Sequence, residues 1–180
     1  MSLPTIGDLT SLPALEHAEL LAPPTAAALA DWPDAASAGV VAIDPELADT
    51  AALSEAYDLP ASGSGNCVLV AGQRAGEERV AACVVRADTR ADVNGLVRRL
   101  LDVRKASFLA MDRAVAESGM EYGGITPVGL PSGWRVLVDS RLLEAPVVVL
   151  GSGVRRSKLL VPGAALASLP GVEIVEDLGR

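Results

Sequence analysis

The chain has 180 residues, enough for one domain with a real core, and half of them are hydrophobic although only 3% are aromatic. Its 15 basic and 23 acidic residues give a net charge of −8, which argues against a protein that coats nucleic acid. The opening residues lack the basic and apolar regions typical of a leader sequence, and no apolar run approaches the roughly 18 residues of a membrane span. Cys67 and Cys83 lie in apolar runs and are expected to be buried and reduced. These features predict a soluble, cytoplasmic protein.

The first half of the chain predicts a mixture of helices and strands. Residues 1 to about 22 carry few strand signals and are expected to wrap loosely against the body. PPTAAALADWP predicts a short helix between prolines, GVVAID a strand, and DTAALSEAYDLP a helix capped by Asp49 or Thr50. After the flexible turn SGSG, the runs CVLVAG and RVAACVVRA predict a hairpin joined by the polar loop QRAGEE.

The second half begins with the clearest helical pattern, from about Asp92 to Asp102, where apolar residues recur at helical spacing. KASFL then predicts a short strand, and AMDRAVAESG a helix closed by Gly119. WRVLVD, PVVVLGSG, KLLV and VEIVED predict strands, with a small helix at GAALASL. Because a hairpin and late strands interrupt any regular β-α-β order, the sequence predicts one α+β domain with a mixed sheet.

Several kinds of catalytic site are excluded by the residues present. His17 is the single histidine, and it lies in the weakly patterned N-terminal part, so no Ser-His-Asp or Cys-His site is expected. The two cysteines are too far apart in sequence, and too far from a histidine, for a zinc motif. GGITPVG is not a phosphate-binding Walker loop, and GSG lacks the rest of a dinucleotide fingerprint. We expect neither a metal nor a cofactor.

The segment EYGGITPVGLP, residues 121–131, is the main functional candidate that remains. Glycines let a ligand approach the main chain, and free backbone N–H groups can hold a carbonyl oxygen. The alternative is a tight connection from helix to strand that needs glycine for its backbone conformation. Residue types alone favour the alternative.

The order of landmarks from Lys105 to about residue 154 resembles the YbaK / prolyl-tRNA-synthetase-associated family of aminoacyl-tRNA editing domains. KASFL, a helix ending ESG, GGITPVG, a strand ending in Asp139 and a strand entering GSG follow in the family's order. The weaker resemblance spans residues 38–178. It implies a mixed sheet curled into a partial barrel with flanking helices, as a domain of residues 38–180 preceded by an N-terminal extension of residues 1–37.

The resemblance implies that the protein hydrolyses the ester joining a wrong amino acid to the 3′ end of tRNA. Such an ester is already activated, so positioning and backbone donors can carry much of the rate without a protein nucleophile. The mischarged tRNA would be a transient partner, and a homo-oligomer is compatible with the sequence. The family's glycine loop corresponds here to residues 123–127. The residues that the resemblance assigns to catalysis or to substrate contact are Asn66, Gly123, Gly124, Ile125, Thr126, Pro127, Asp139, Gly151, Ser152 and Gly153.

The chain departs from the family at two charged positions. Asn66 stands where the family has a lysine that contacts the tRNA end, and Lys158 stands where many relatives carry an acidic residue. Lys158 therefore forms a local basic cluster with Arg155 and Arg156, which is expected to contact tRNA phosphates or partly to replace the missing lysine. A solvated turn is the alternative. Lys105 matches a lysine that is common in the family and is a further candidate for tRNA contact.

Some interpretations remain open. Asp139 can cap a turn rather than contact substrate. Phe108 and Met111 can line a pocket, but core packing is the favoured interpretation. Because Asn66 lacks the family's charge, the main alternative function is a non-catalytic member that binds an aminoacyl or nucleotide ligand, or a protein, in the same cleft. A third possibility is a hydrolase of unrelated small molecules on the same fold.

Overall fold

The computed structural model describes residues 2–180, which form strands, helices and short helical turns. The strands are β1 Thr5–Ile6, β2 Leu9–Thr10, β3 Leu12–Pro13, β4 Gly39–Ala42, β5 Gly65–Arg74, β6 Glu77–Arg86, β7 Ala106–Phe108, β8 Arg135–Asp139, β9 Val148–Gly151, β10 Ser157–Val161 and β11 Val172–Val175. The α-helices are α1 Pro23–Ala30, α2 Thr50–Tyr57, α3 Arg98–Leu100 and α4 Met111–Ser118, and a π-helix spans Val93–Val97. The 3₁₀ turns are Ala14–Glu16, Ala18–Leu20, Ala35–Ser37, Pro45–Leu47, Ala61–Gly63, Ser140–Glu144 and Gly163–Ser168.

Two sheets make up most of the molecule. One has the strand order β3-β4-β10-β9 and is antiparallel, and the other has the order β11-β8-β6-β5-β7 and is mixed. In the mixed sheet β5 pairs antiparallel with β6 and β7, whereas β8 pairs parallel with β6 and β11. A bridge between Ser64 and Val149 joins the two sheets at one edge. Among the described residues these sheets do not close into a barrel.

The main core contains buried Val and Leu residues of both sheets, including Val84 and Val138 from one and Leu150 and Leu159 from the other. The predicted single α+β domain with a mixed sheet and flanking helices is confirmed. No helix within residues 2–180 is both long and apolar enough to span a membrane.

The predicted hairpin is confirmed, but its loop is shorter than the polar run QRAGEE indicated. β5 and β6 stay paired as far as Arg74 and Glu77, so that only Ala75 and Gly76 form the turn. Both turn residues have positive φ, 51° and 82°. This is the two-residue turn whose twist matches that of a β-hairpin. The polar side chains of QRAGEE therefore did not mark where the pairing of β5 with β6 ends.

The helix predicted from Asp92 to Asp102 is irregular. Its first turn is a π-helix and only Arg98–Leu100 is α-helical. The Asp92 carboxylate accepts from the amides of Gly95 and Leu96 at 3.1 and 2.9 Å. The Val97 amide reaches back five residues to the Asp92 carbonyl, at 3.0 Å. A side-chain cap that folds over the first turn thus widens the helix, although the apolar spacing is that of an α-helix.

The N-terminal segment is more ordered than its sequence suggested. β1 pairs with β2, and β3 extends the antiparallel sheet by pairing with β4. Strands of two residues are too short to show an alternating pattern, which is why the sequence did not reveal them. Trp32 is buried, and its Nε1 donates to Ser168 Oγ at 2.8 Å. The division into an extension of residues 1–37 and a domain of residues 38–180 stays a prediction.

Asp139, at the end of β8, fastens the C-terminal residues to the mixed sheet. Its buried carboxylate accepts from the Arg141 guanidinium at 2.7 and 2.9 Å and from the amides of Arg141 and Gly179 at 3.0 and 2.8 Å. Burial opposes ionisation of this carboxyl group, but the hydrogen bonds outweigh it, and the pKa of Asp139 lies below its usual value. The turn-capping interpretation therefore accounts for both oxygens.

We predict that Asp139→Asn lowers the free energy of unfolding by about 3 kcal/mol at pH 7, because it leaves Arg141 partly unpaired. A carboxyl group with a lowered pKa contributes stability above its unfolded pKa of about 4 and loses it as the pH falls. The difference between the two proteins should therefore shrink in urea unfolding at about pH 3. The exposed Glu144→Gln is the control. An equal difference at both pH values would contradict the structural role.

Candidate functional site

A cavity of about 560 Å³ lies between the start of α2, strand β5, the glycine loop and the β9–β10 turn. Its size is typical of a small-ligand site. Six of the residues predicted from the sequence line it, namely Asn66, Gly123, Ile125, Gly151, Arg155 and Lys158. The predicted residues that do not line it are Gly124, Thr126, Pro127, Asp139, Ser152, Gly153, Lys105 and Arg156.

The glycine loop and the β9–β10 turn are in direct backbone contact. The Gly153 amide donates to the Gly124 carbonyl at 2.7 Å, and the Glu121 amide donates to the Gly153 carbonyl at 2.8 Å. A Cβ on Gly151 would lie 2.4 Å from the Gly124 oxygen, and one on Gly124 would lie 2.7 Å from backbone atoms of Val154. Close packing of two backbones therefore explains Gly124 and Gly151. The alternative of a tight connection expected glycine for its backbone conformation, and neither residue has a positive φ.

Gly123 is one of the two residues of this loop, with Ile125, that line the cavity. It is exposed, lines the cavity and has a φ of +84°, a conformation that favours glycine. Its N–H and that of Ile125 make no hydrogen bond with any other described residue. Two residues of the cavity wall thus carry backbone donors that have no protein partner in the described chain.

Ser152 has a structural role in the turn. Its buried Oγ lies 2.7 Å from Ser157 Oγ and within hydrogen-bond distance of the carbonyls of Ser157 and Val154, at 3.0 and 3.1 Å, so that its single O–H is shared among these acceptors. The Ser157 hydroxyl in turn donates to the Leu20 carbonyl. These contacts stabilise the turn outside the cavity. They occupy the Ser152 hydroxyl, which is therefore not available to a ligand.

Lys158 is a buried cation in the cavity, and only 6% of its surface is exposed. Its Nζ donates to the Ala48 carbonyl at 2.8 Å and has no carboxylate within ion-pair distance in the described chain. Burial and the nearby Arg155 lower the pKa of Lys158 to about 8, against the attraction of Asp49. A contact with phosphates at the protein surface, which the sequence suggested, is not what this position favours.

The side chains of Asn66 and Lys158 contact the same short segment at the start of α2. Thr50 Oγ1 donates to Asn66 Oδ1 at 2.6 Å. Ala48, two positions before Thr50, accepts from Lys158 Nζ through its carbonyl oxygen. The Nδ2 group of Asn66 has no partner among residues 2–180. The sequence predicted Asp49 or Thr50 as the cap of α2, and the cap is Asp49. It did not predict that the segment from Ala48 to Thr50 would form one wall of the cavity.

Neither cysteine offers a nucleophile. Cys67 lines the cavity, but burial and the neighbouring Cys83 raise the pKa of its thiol. The thiol is therefore protonated near neutral pH. Ser64 also lines the cavity, and its buried hydroxyl has no hydrogen-bond partner. His17 lies elsewhere and contacts Glu19. No group of three or more candidate metal ligands occurs among residues 2–180.

The basic residues predicted from the sequence do not form one patch. Arg155 braces the cavity mouth by donating to the carbonyls of Tyr122 and Pro45 at 3.3 and 2.9 Å. Arg156 is exposed and donates to the Glu19 carbonyl at 2.7 Å. Lys105 lies in a separate open groove. Contact of these residues with tRNA stays a prediction.

Phe108 and Met111 do not pack in the core, so the favoured interpretation of them was wrong. They are 65% and 57% exposed and line the cavity, as does Tyr122, which the sequence analysis did not single out. Large apolar residues such as Phe and Met are usually buried, so the sequence did not indicate that these side chains lie at the mouth of a cavity.

The chain is similar to known proteins both in sequence and in structure. The sequence model of the aminoacyl-tRNA editing domain matches residues 44–169. No curated protein matches the chain. The crystal structure of a "putative trans-editing enzyme for prolyl tRNA synthetase" is 18% identical, with a TM-score of 0.73, and the match covers 95% of this chain and 99% of that one. The crystal structure of the hypothetical protein APE2540 is 22% identical, with a TM-score of 0.68, over 78% of this chain and 90% of that one.

A third similar structure is described as a signal transduction protein from Marinobacter aquaeolei VT8. It is 18% identical, with a TM-score of 0.55, and the match covers 92% of this chain but 30% of that one. At such identities the structures establish the fold alone, and the fold occurs in proteins of different description. The sequence match spans well over half of the chain. The chain therefore belongs to the aminoacyl-tRNA editing domain family.

Proposed function

We propose that this protein is a free-standing deacylase that hydrolyses the ester between a wrong amino acid and the 3′ end of tRNA. Membership of the editing family supports the substrate class. The observation that carries the proposal is Lys158, a buried ammonium group that faces the cavity without a carboxylate partner in the described chain. A buried charge without a partner is costly unless a ligand completes its surroundings. The substrate would be met in the cytoplasm, where translation takes place.

The proposed reaction needs no protein nucleophile. A water molecule attacks the ester carbonyl, negative charge develops on the carbonyl oxygen, and the bond to the ribose oxygen breaks. The free amides of Gly123 and Ile125 and the Lys158 ammonium group stabilise the developing charge. A ribose hydroxyl of the substrate beside the ester relays a proton from the water to the leaving oxygen. Asn66, through its free Nδ2 group, orients the substrate.

Lys158 replaces, in this proposal, the charge that Asn66 lacks. The two residues start from different strands, β10 and β5, but their side chains contact the same segment from Ala48 to Thr50. The remaining predicted contacts to substrate and tRNA, through Thr126, Lys105 and Arg156, stay secondary, because those residues lie outside the cavity.

A second candidate function is ligand binding without turnover. The neutral Asn66 favours it, because a charge-assisted hydrogen bond is about twice as strong as a neutral one. In that case the same cavity would bind an aminoacyl or nucleotide ligand. The two functions are separated by whether tRNA that binds is also deacylated.

Deacylation of a panel of mischarged tRNAs by the purified protein is the first test. We expect hydrolysis of one or two members, and a loss of about ten- to a hundredfold in Gly123→Ala, because the new methyl group would lie 2.5 Å from Arg155 Nη1 and displace that side chain from its contacts at the cavity mouth. Gly133→Ala is the matched control, since Gly133 also has a positive φ, +91°, but has nothing within 4 Å of an added Cβ. Tight binding of the panel with no hydrolysis would favour the second function.

Lys158→Met should reduce kcat/KM by about ten- to a hundredfold, the contribution of one hydrogen bond from a charged group. Its melting temperature should stay the same or rise, because a buried cation without a carboxylate partner is replaced by an apolar chain of similar shape. Adding Asn66→Lys to Lys158→Met should restore part of the activity by returning an ammonium group to the same cavity. Equal activity of Lys158→Met and the wild type would exclude the charge from the mechanism.

The pH dependence tests which form of Lys158 acts. With its pKa at about 8, the group is charged below that pH and neutral above it. The enzymatic rate, after subtraction of uncatalysed hydrolysis, should therefore fall as the pH rises through about 8. In Lys158→Arg, which remains charged, any residual activity should not show this fall. A Lys158-dependent rise through pH 8 would instead assign the neutral amine as a general base.

A further inference from the structure

The mouth of the cavity carries an unusual group of exposed side chains. Phe108, Met111 and Tyr122 are 65%, 57% and 59% exposed, and all three line the cavity. They are half of the six large hydrophobic residues exposed in the described chain. The sequence holds only one Phe, two Tyr and two Trp, so two of its five aromatic residues stand at this one place. Exposed apolar side chains that gather around an opening mark a binding surface.

The segments at the two ends of α4 carry these three side chains. Phe108 ends β7, Met111 begins α4, and Tyr122 follows the Gly119 cap at the other end of that helix. Phe108 is on the same face of β7 as the buried Ala106, yet it is largely exposed, because it stands where the sheet gives way to the cavity. The main-chain bond from Leu109 N to Leu69 O, 2.9 Å, fixes the backbone next to it.

A groove with free positive charge begins at the same residue. Phe108 lines both the cavity and a neighbouring open groove that contains Arg104, Lys105 and Arg113. Arg113 is neutralised by Glu78 and Glu117. Arg104 and Lys105 are exposed, and their side chains form no ion pair or hydrogen bond with residues 2–180. In a chain of net charge −8, unpaired cations beside an aromatic patch point to an anionic ligand with a flat apolar part.

A nucleotide strand has this combination of properties. Its bases stack on aromatic side chains, and its phosphates are bound by cations beside them. A stable protein partner would need an interface of about 1,600 Å² in total, and a patch of three side chains is far smaller. The groove is charged, which a partner protein with an apolar docking segment would not require. The surface therefore fits an unpaired nucleoside and the phosphates that precede it.

We propose that Phe108, Met111 and Tyr122 form a stacking platform for the 3′-terminal nucleobase of the RNA, and that Arg104 and Lys105 contact the phosphates before it. The inference rests on the proposed function, because it sets the base at the mouth of the cavity in which the ester would be cleaved. The platform binds any flat base by stacking, whereas the cavity behind it selects the aminoacyl group.

The test measures equilibrium binding of the RNA trinucleotide CCA, which ends every tRNA, and of the same trinucleotide with an abasic 3′ residue. We expect CCA to bind the wild type more tightly than the abasic form by about tenfold, the usual effect of one stacked base. Phe108→Ala and Phe108→Leu should both remove this difference, because neither side chain has an aromatic ring. Phe108→Trp should keep it. Leu15→Ala, another exposed large hydrophobic residue outside the cavity, is the matched control.

A second variant tests the groove. Arg104→Gln with Lys105→Gln should weaken CCA and abasic RNA equally and reduce the salt dependence of binding. Since these are binding measurements, the platform stands if base-dependent binding is found even where deacylation is not. Deacylation with no difference between CCA and the abasic form would overturn the platform and leave the hydrolase standing. Loss of self-association, instead of RNA binding, in Phe108→Ala would also overturn it, because the patch would then be a contact between copies of the chain.

Discussion

The close contact between two stretches of backbone is the constraint on which the site depends. The glycine loop and the β9–β10 turn are joined by hydrogen bonds of 2.7 and 2.8 Å, and side chains at Gly124 or Gly151 would have no space. The antiparallel register then pairs Gly151 with Lys158 on β10. Lys158 thereby lines the same cavity as Gly123 and Ile125 of the loop. The absence of side chains at Gly124 and Gly151 thus helps to determine where Lys158 lies.

The second constraint is electrostatic. A surface lysine keeps its hydration and has little effect on a site, whereas Lys158 has given up most of its water for one carbonyl contact. Its lowered pKa is the sign of that cost. Asp49 is close enough to favour the charge but makes no ion pair with it, since its carboxylate caps α2 through the Ala51 amide. A cation in this state can interact strongly with an oxygen of a ligand, because few other partners compete for it.

Sequence patterns predicted those parts of the fold that depend on local periodicity. The hairpin, α4 with its Gly119 cap, and the late strands follow from alternation, helical spacing and glycine at a helix end. Other features depend on contacts between distant residues and left no local signal. The carboxylate of Asp92 widened a helix, and pairing with β4 made a strand of Leu12 and Pro13. The glycine-rich loop was located from its residue types, but only the fold shows that Gly123 faces the cavity and Gly124 faces the turn.

The same distinction applies to the charged residues. Arg155, Arg156 and Lys158 are neighbours in sequence, yet the fold directs them to the cavity mouth, to the N-terminal segment and to the cavity interior. A count of nearby positive charges therefore overstated the surface available for phosphates. Since interactions between exposed charges fade beyond a Debye length of about 8 Å at physiological salt, the net charge of −8 matters less to a bound RNA end than the few cations next to it. The acidic remainder of the surface still repels the rest of a large polyanion. Local attraction at one end with repulsion elsewhere favours brief contact with tRNA, which suits the proposed deacylase, since such an enzyme would have to release the many correctly charged molecules that it meets.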